Sequence, residues 1–133
     1  MGSAKYPGEN EYADHLSKFG GWSNAYTSTH QTVYFFETTH AGFEGALDRF
    51  AQFFVSPLFN ENCVEKEIKA VDSEHQKDLQ DDGWRLQQLR RSLSKADHPY
   101  HKFGTGDLET LWNRPRAQGL DIRAELIKFY EKQ

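Results

Sequence analysis

The sequence predicts an α+β fold in which helices pack on a small antiparallel sheet. Three observations carry that prediction. Residues 22–28 and 32–38 are rich in aromatic and β-branched side chains with a hydrophobic period of two, and the short polar tract Thr29-His30-Gln31 joins them. Residues 42–55 place Phe43, Ala46, Leu47, Phe50, Phe53 and Phe54 at helical spacing. A longer charged run, residues 60–94, keeps a thin apolar stripe of Val64, Ile68, Val71 and Leu79, with His75 between them.

In chain order, Tyr6-Pro7-Gly8 predicts a turn, because Pro fixes φ and Gly supplies a left-handed position. A short helix from Asn10 gathers Tyr12, Leu16 and Phe19 on one face, and Gly20-Gly21 ends it. The two strands follow; Val33-Tyr34-Phe35-Phe36 is apolar on both faces, which predicts a covered strand. Pro57 stops the next helix. Asp81-Asp82-Gly83 predicts an interruption of the 60–94 run, beyond which Leu86, Leu89 and Leu93 continue a stripe. Residues 98–106 read as a loop, 108–112 as a short turn of helix and 121–131 as a last amphipathic helix. There is no internal repeat, low-complexity tract or linker, so 133 residues predict one domain or part of one.

Composition narrows the function. A net charge of −4 and a pI near 5.8 argue against a nucleic-acid partner, since Lys and Arg are scattered among acids and form no basic patch. Ten Phe, six Tyr and three Trp supply bulky core material. Cys63 is the only cysteine, which leaves no disulfide framework and no cysteine-type zinc site, and a cytoplasmic setting is the expectation. No apolar run is long enough to span a bilayer, and Met1-Gly2-Ser3-Ala4-Lys5-Tyr6 has neither a signal-peptide core nor a myristoylation pattern. No membrane role is expected.

Two carboxylates in the charged run stand out. Glu67 and Glu74 are seven residues apart, so on a helix they lie within roughly 20° of one another and about 10.5 Å apart along the axis. They flank the apolar stripe, where a carboxylate would stand if the helix walled a cleft. Metal–carboxylate bonds are about 2 Å long, so the two cannot both bind one ion; at most one is a ligand, with the other orienting a ligand. Spacing alone favours the plainer reading, a pair of solvated flank glutamates.

Several stretches are specific enough to carry a resemblance. They are Lys5-Tyr6-Pro7-Gly8-Glu9-Asn10-Glu11-Tyr12, Gly20-Gly21, Ser23-Asn24-Ala25, Gly45-Ala46-Leu47-Asp48-Arg49-Phe50-Ala51-Gln52-Phe53-Phe54, Ala70-Val71-Asp72-Ser73-Glu74-His75, His98-Pro99 and Lys102-Phe103-Gly104-Thr105-Gly106. In that order, across essentially the whole chain, the sequence resembles the insulysin branch of the pitrilysin family of zinc peptidases. The resemblance implies a partial N-terminal peptidase domain over residues 1–133, part of a zinc metalloendopeptidase that hydrolyses peptides. It puts Glu74 on the downstream zinc ligand and Glu67 on the supporting carboxylate, and so reverses the plainer reading of the pair. It also makes 21–26 an edge strand to which a peptide substrate adds by backbone pairing. Asn24 and Ala25 then present polar groups to that peptide, and Tyr26 lines the pocket beside the cleaved bond. Trp22 stands where the family usually carries a small residue.

The family's H-x-x-E-H motif, which supplies two zinc-binding His and the Glu that activates water, is absent; in the family it lies just before the tract that Met1-Gly2-Ser3-Ala4-Lys5-Tyr6 resembles. Met1-Gly2-Ser3 fits either the family's own sequence or a vector remnant. His98 and His101 flank Pro99 and read as loop polar groups, His75 as a hydrogen-bonded core histidine. Catalytic zinc needs three protein ligands and an open position, so the expectation for this chain alone is weak or absent zinc and no cleavage. Two alternatives stay open: a non-catalytic peptide-binding module, and a scaffold piece that self-associates through an unpaired sheet edge. Trp84 is expected either beside the cleft or as an anchor of its helix.

Overall fold

The computed structural model describes residues 2–28 and 30–133; Met1 and Thr29 lie outside the described residues. The chain divides into two compact units, residues 1–60 and 61–133.

In the first unit, α1 (Glu11–Lys18) leads to the strands β1 (Trp22–Thr27) and β2 (Thr32–Glu37), then to α2 (His40–Val55). The strands form a two-stranded antiparallel sheet with Asn24 opposite Phe35 and Ala25 opposite Tyr34. The connection between the strands sets that register, closing with the Ser28 amide donating to Gln31 O at 2.8 Å. One face meets the helices: Phe36 packs against Tyr12 of α1 and against Phe43 and Phe50 of α2, and Tyr34 against Phe54. Leu16 and Ala46 are the buried apolar residues of this unit, at 2% and 0% exposed, and mark where the two helices close on one another. They close through Gly42, where an added Cβ would stand 2.6 Å from Phe19 Cβ. At the end of α1, Gly20 takes φ +65°, a conformation open to Gly at little steric cost.

The first residues belong to the fold. Ser3 is 1% exposed and bridges to Pro57, while the Ala4 amide donates to Ser56 O at 2.9 Å and the Leu58 amide to Gly2 O at 3.1 Å. Lys5 pairs with Asp48 at 2.7 Å, and the Tyr6 hydroxyl donates to the same carboxylate.

The covered-strand expectation for 33–36 is corrected. Tyr34 is 53% exposed and Phe35 37%. Helices cover only one face of the two-stranded sheet, and that incompletely: Phe35 points to the other face, and Tyr34, on the helix side, stands against a Phe54 that is itself 49% exposed.

The second unit holds α3 (Glu61–Asp78), α4 (Asp82–Ser92), a 3₁₀ turn (Pro99–His101), a π-helical turn (Glu109–Asn113), α5 (Arg114–Ala117) and α6 (Ile122–Lys132). The interruption falls at residues 79–81, slightly before the expected place. Asp81 caps α4 by accepting from the Trp84 amide at 3.0 Å, and Asp82 and Gly83 form the first turn of α4. The expected turn of helix at 108–112 is a wider π turn that runs on into α5. Pro115 supplies the reason: it has no N–H to give Leu111 and its ring would clash with that carbonyl in an α-helix. Asp72 of α3 anchors this region by accepting from the Leu108 amide at 2.8 Å. Asp121 caps α6 through the Ala124 amide at 3.1 Å.

Candidate peptide strand and carboxylate pair

The first set of predicted site residues lies on β1. The Ser28 amide donates to Gln31 O at 2.8 Å. By the alternation of an antiparallel ladder, Tyr26, Asn24 and Trp22 then direct their main-chain groups to β2, and Thr27, Ala25 and Ser23 direct theirs to the opposite edge. The Gly21 amide follows the same parity, turning away from β2 to donate to Leu16 O at 2.7 Å. Along the outer edge, Asn24 Oδ1 accepts from the amide of Ala25 at 2.8 Å. Every residue of β1 is exposed, and among the described residues no third strand joins the sheet. This edge offers main-chain donors and acceptors at alternate residues, which is what an added strand uses. Tyr26 stands on the face away from the helices, with its ring 6.5 Å from that of Phe35.

The second set lies on α3, in the second unit. Ile68, 8% exposed, is the buried residue of α3; Val64, Val71 and His75 are half-buried, so the predicted stripe is the inner face. Glu67 and Glu74 are both exposed beside it, as predicted, and neither has a hydrogen-bond or ion-pair partner among the described residues. Their neighbours are engaged: Lys69 with Glu65 at 2.7 Å, Ser73 Oγ with Lys69 O at 2.9 Å, and Asp72 with Leu108.

The expected core histidine is corrected. His75 is half-buried, its ring stands edge-on to Phe103 at 5.3 Å, and its side chain makes no hydrogen bond among the described residues. Position 75 falls at the rim of the unit, where an aromatic edge is its neighbour. His98 caps the 3₁₀ turn by accepting from the Tyr100 amide at 3.1 Å, and His101 Nδ1 lies 3.1 Å from Ser94 O, so both serve the loop. Trp84 is 54% exposed and, with Leu79, His75, Phe103 and Arg91, lines a hollow of about 90 Å³. No three His, Cys, Asp or Glu side chains among the described residues come together as a metal site. The residues present therefore do not fit a complete zinc centre.

The electrostatics of each unit are local. In the first, hydrogen bonds from Lys5 and Tyr6 hold the Asp48 carboxyl below the usual carboxylate range. In the second, hydrogen bonds from the Thr110 hydroxyl and amide do the same for Asp107. Sequence reasoning did not single out Asp72; an Asp inside a helix, where its propensity is poor, was the available signal.

The model of the insulinase family, peptidase family M16, matches residues 1–97. The chain belongs to the insulinase family of peptidases. Relatives extend the match across nearly the whole chain. The human insulin-degrading enzyme is 52% identical over 130 residues, covering 98% of this chain and 13% of its own length. A Schizosaccharomyces pombe relative described as a zinc protease is 54% identical over 132 residues, 99% of this chain and 14% of its own. A crystal structure of pitrilysin superposes with a TM-score of 0.89 at 35% identity, over 99% of this chain and 14% of that one. The chain thus spans roughly a seventh of the relatives it matches, and the α+β architecture is that of the insulinase-family fold. No helix among the described residues is long and apolar enough to cross a membrane.

Proposed function

We propose that residues 1–133 form part of the N-terminal peptidase domain of an insulinase-family zinc metalloendopeptidase and present the substrate to it. In this reading a peptide lies along the outer edge of β1, where Asn24 and Ala25 meet its main chain and Tyr26 lines the pocket beside the cleaved bond. Glu74 gives one carboxylate to the zinc and Glu67 orients a ligand. Zinc, when held by a full ligand set, supplies a polarised carbonyl and an activated water. The described residues offer no such set, so this chain alone holds zinc weakly or not at all and cleaves nothing. The lone Cys63 agrees with a cytoplasmic setting.

The observation that carries the reading is the outer edge of β1, exposed along its whole length and unpaired by any described strand. The unengaged state of Glu67 and Glu74 supports the second half, since carboxylates with no structural partner are free to take one. The test is a titration of isotope-labelled protein with an extended peptide, followed by the amide resonances of β1. Shifts at Ser23, Ala25 and Thr27 without peptide turnover are the expected result; shifts elsewhere, or none, would refute it.

A second reading has its own support. The same edge, with Trp22, Tyr34 and Phe35 exposed beside it, suits pairing with a second copy of the chain. Concentration-dependent association that added peptide does not relieve would favour self-association over peptide presentation.

A further inference from the structure

Peptide presentation by β1 leaves Trp22 without a role, and the register supplies one. Trp22, Asn24 and Tyr26 share a face of the sheet with Glu37, Phe35 and Val33, and Phe35 stands directly opposite Asn24. The Phe35 ring meets Trp22 edge-on at 5.6 Å and Tyr26 at 6.5 Å. All three are more than a third exposed: Trp22 49%, Tyr26 52% and Phe35 37%. The helices occupy the other face, so this aromatic group is not covered by α1 or α2. Asn24 thus sits in a frame, with Phe35 behind it and Trp22 and Tyr26 on either side, about 13 Å apart along the strand.

A strand added at the outer edge of β1 places its residue opposite Asn24 on this same face. That side chain enters the gap between the indole of Trp22 and the phenol of Tyr26. The walls of the gap are aromatic; the Asn24 carboxamide, turned to the Ala25 amide, is the polar group between them, and Glu37, opposite Trp22 at one end of the frame, is the only charged side chain on either strand. An aromatic or bulky aliphatic side chain would bury its surface there and meet ring edges on two sides. A small or acidic one would leave both rings wet.

We propose that Trp22 is a specificity-determining residue that selects a bulky apolar side chain at the peptide position opposite Asn24. The proposal rests on the reading of β1 as the strand that receives peptide. A small residue at position 22 would open one wall of the frame and leave main-chain pairing unaltered, so Trp22 governs selectivity and the Ala25 edge governs binding.

The test uses two extended peptides that differ in one central residue, Phe in one and Ser in the other, titrated into the wild-type protein, Trp22→Ser and Trp22→Phe. Amide resonances of β1 report both the site and the Kd. Wild type should prefer the Phe peptide by roughly tenfold, the size of a good aromatic contact. Trp22→Ser should bind the Ser peptide as before and lose most of that preference, and Trp22→Phe should keep most of it. An undiminished preference in Trp22→Ser, with shifts at Ala25 and Thr27 showing both peptides on β1, would overturn the role of Trp22 and spare the strand reading. No shift at those amides with either peptide would overturn both. The amide dispersion of each free variant reports that β1 and β2 remain paired.

Discussion

Asn24 Oδ1 accepts a hydrogen bond from the backbone amide of its neighbour Ala25 at 2.8 Å. The bond lies on the edge of β1 that β2 does not use, so a side chain occupies the donor an incoming strand would take. Such self-capping satisfies an exposed edge amide until a better partner arrives. Asn24→Ala should therefore raise the hydrogen-exchange rate at Ala25 by about fivefold or more, while Tyr26, whose amide faces β2, changes little. Exchange measured by NMR decides it; equal acceleration at both amides would mean that the hairpin itself had loosened.

Glu67 and Glu74 should be dispensable for folding. Both are exposed and neither has a partner among the described residues, so Glu67→Gln and Glu74→Gln should each shift stability by less than about 0.5 kcal/mol, the usual range for such surface sites. Urea unfolding of the variants checks this. A loss above about 1.5 kcal/mol, the order of a charged hydrogen bond, would assign them a structural role.

Asp72, two residues before Glu74, should behave oppositely. Its carboxylate receives the Leu108 amide at 2.8 Å in a part-buried setting. Asp72→Ala leaves that amide without its acceptor and should cost about 1–3 kcal/mol. Asp72→Asn keeps an acceptor oxygen and should recover part of the loss.

The approach of α1 to α2 makes Gly42 intolerant of size. A Cβ there would meet Phe19 at 2.6 Å and the Thr38 hydroxyl at 2.7 Å. Gly42→Leu should destabilise the first unit by about 1–3 kcal/mol or more, as overpacking does. An unchanged unfolding midpoint would show that the helices separate at little cost.

Acid should loosen both units. The carboxyls of Asp48 and Asp107 are held below their ordinary range by hydrogen bonds from Lys5 and Tyr6 and from Thr110 respectively. The folded state therefore binds these protons less readily than the unfolded chain. Their stabilisation is full above the unfolded value, near ~4, and is lost as pH falls through the lower folded value. Both groups are largely solvated, so the effect is modest. Thr110→Val should flatten the acid limb of a stability–pH curve for the second unit; a steeper limb would reverse the sign.

The helices were legible because their apolar residues recur at helical spacing, as Phe43, Phe50 and Phe54 do, and the hairpin because its period changes to two. Coverage of the sheet was not. Residues 33–36 are apolar at every position, and which face is covered depends on what packs there, not on the strand. Likewise the rim position of His75 depends on Phe103, a neighbour distant in sequence, whereas the π turn at Glu109–Asn113 follows from Pro115, a signal the sequence did carry. The carboxylate pair shows the limit most clearly: spacing put Glu67 and Glu74 beside the stripe, correctly, yet only the resemblance gave them roles. The hydrogen bond from Ala25 to Asn24 could not be read at all, since it needs both a free edge and one rotamer.

Zinc content and turnover, measured together on the purified protein, test the account most directly. The protein, Glu74→Gln and Glu67→Gln would be equilibrated with micromolar zinc, dialysed, analysed for bound metal, and mixed with an extended fluorogenic peptide. Far less than one zinc per chain in all three, peptide bound on β1 and no hydrolysis are the expected results. One tightly held zinc per chain, with hydrolysis abolished by Glu74→Gln, would contradict them.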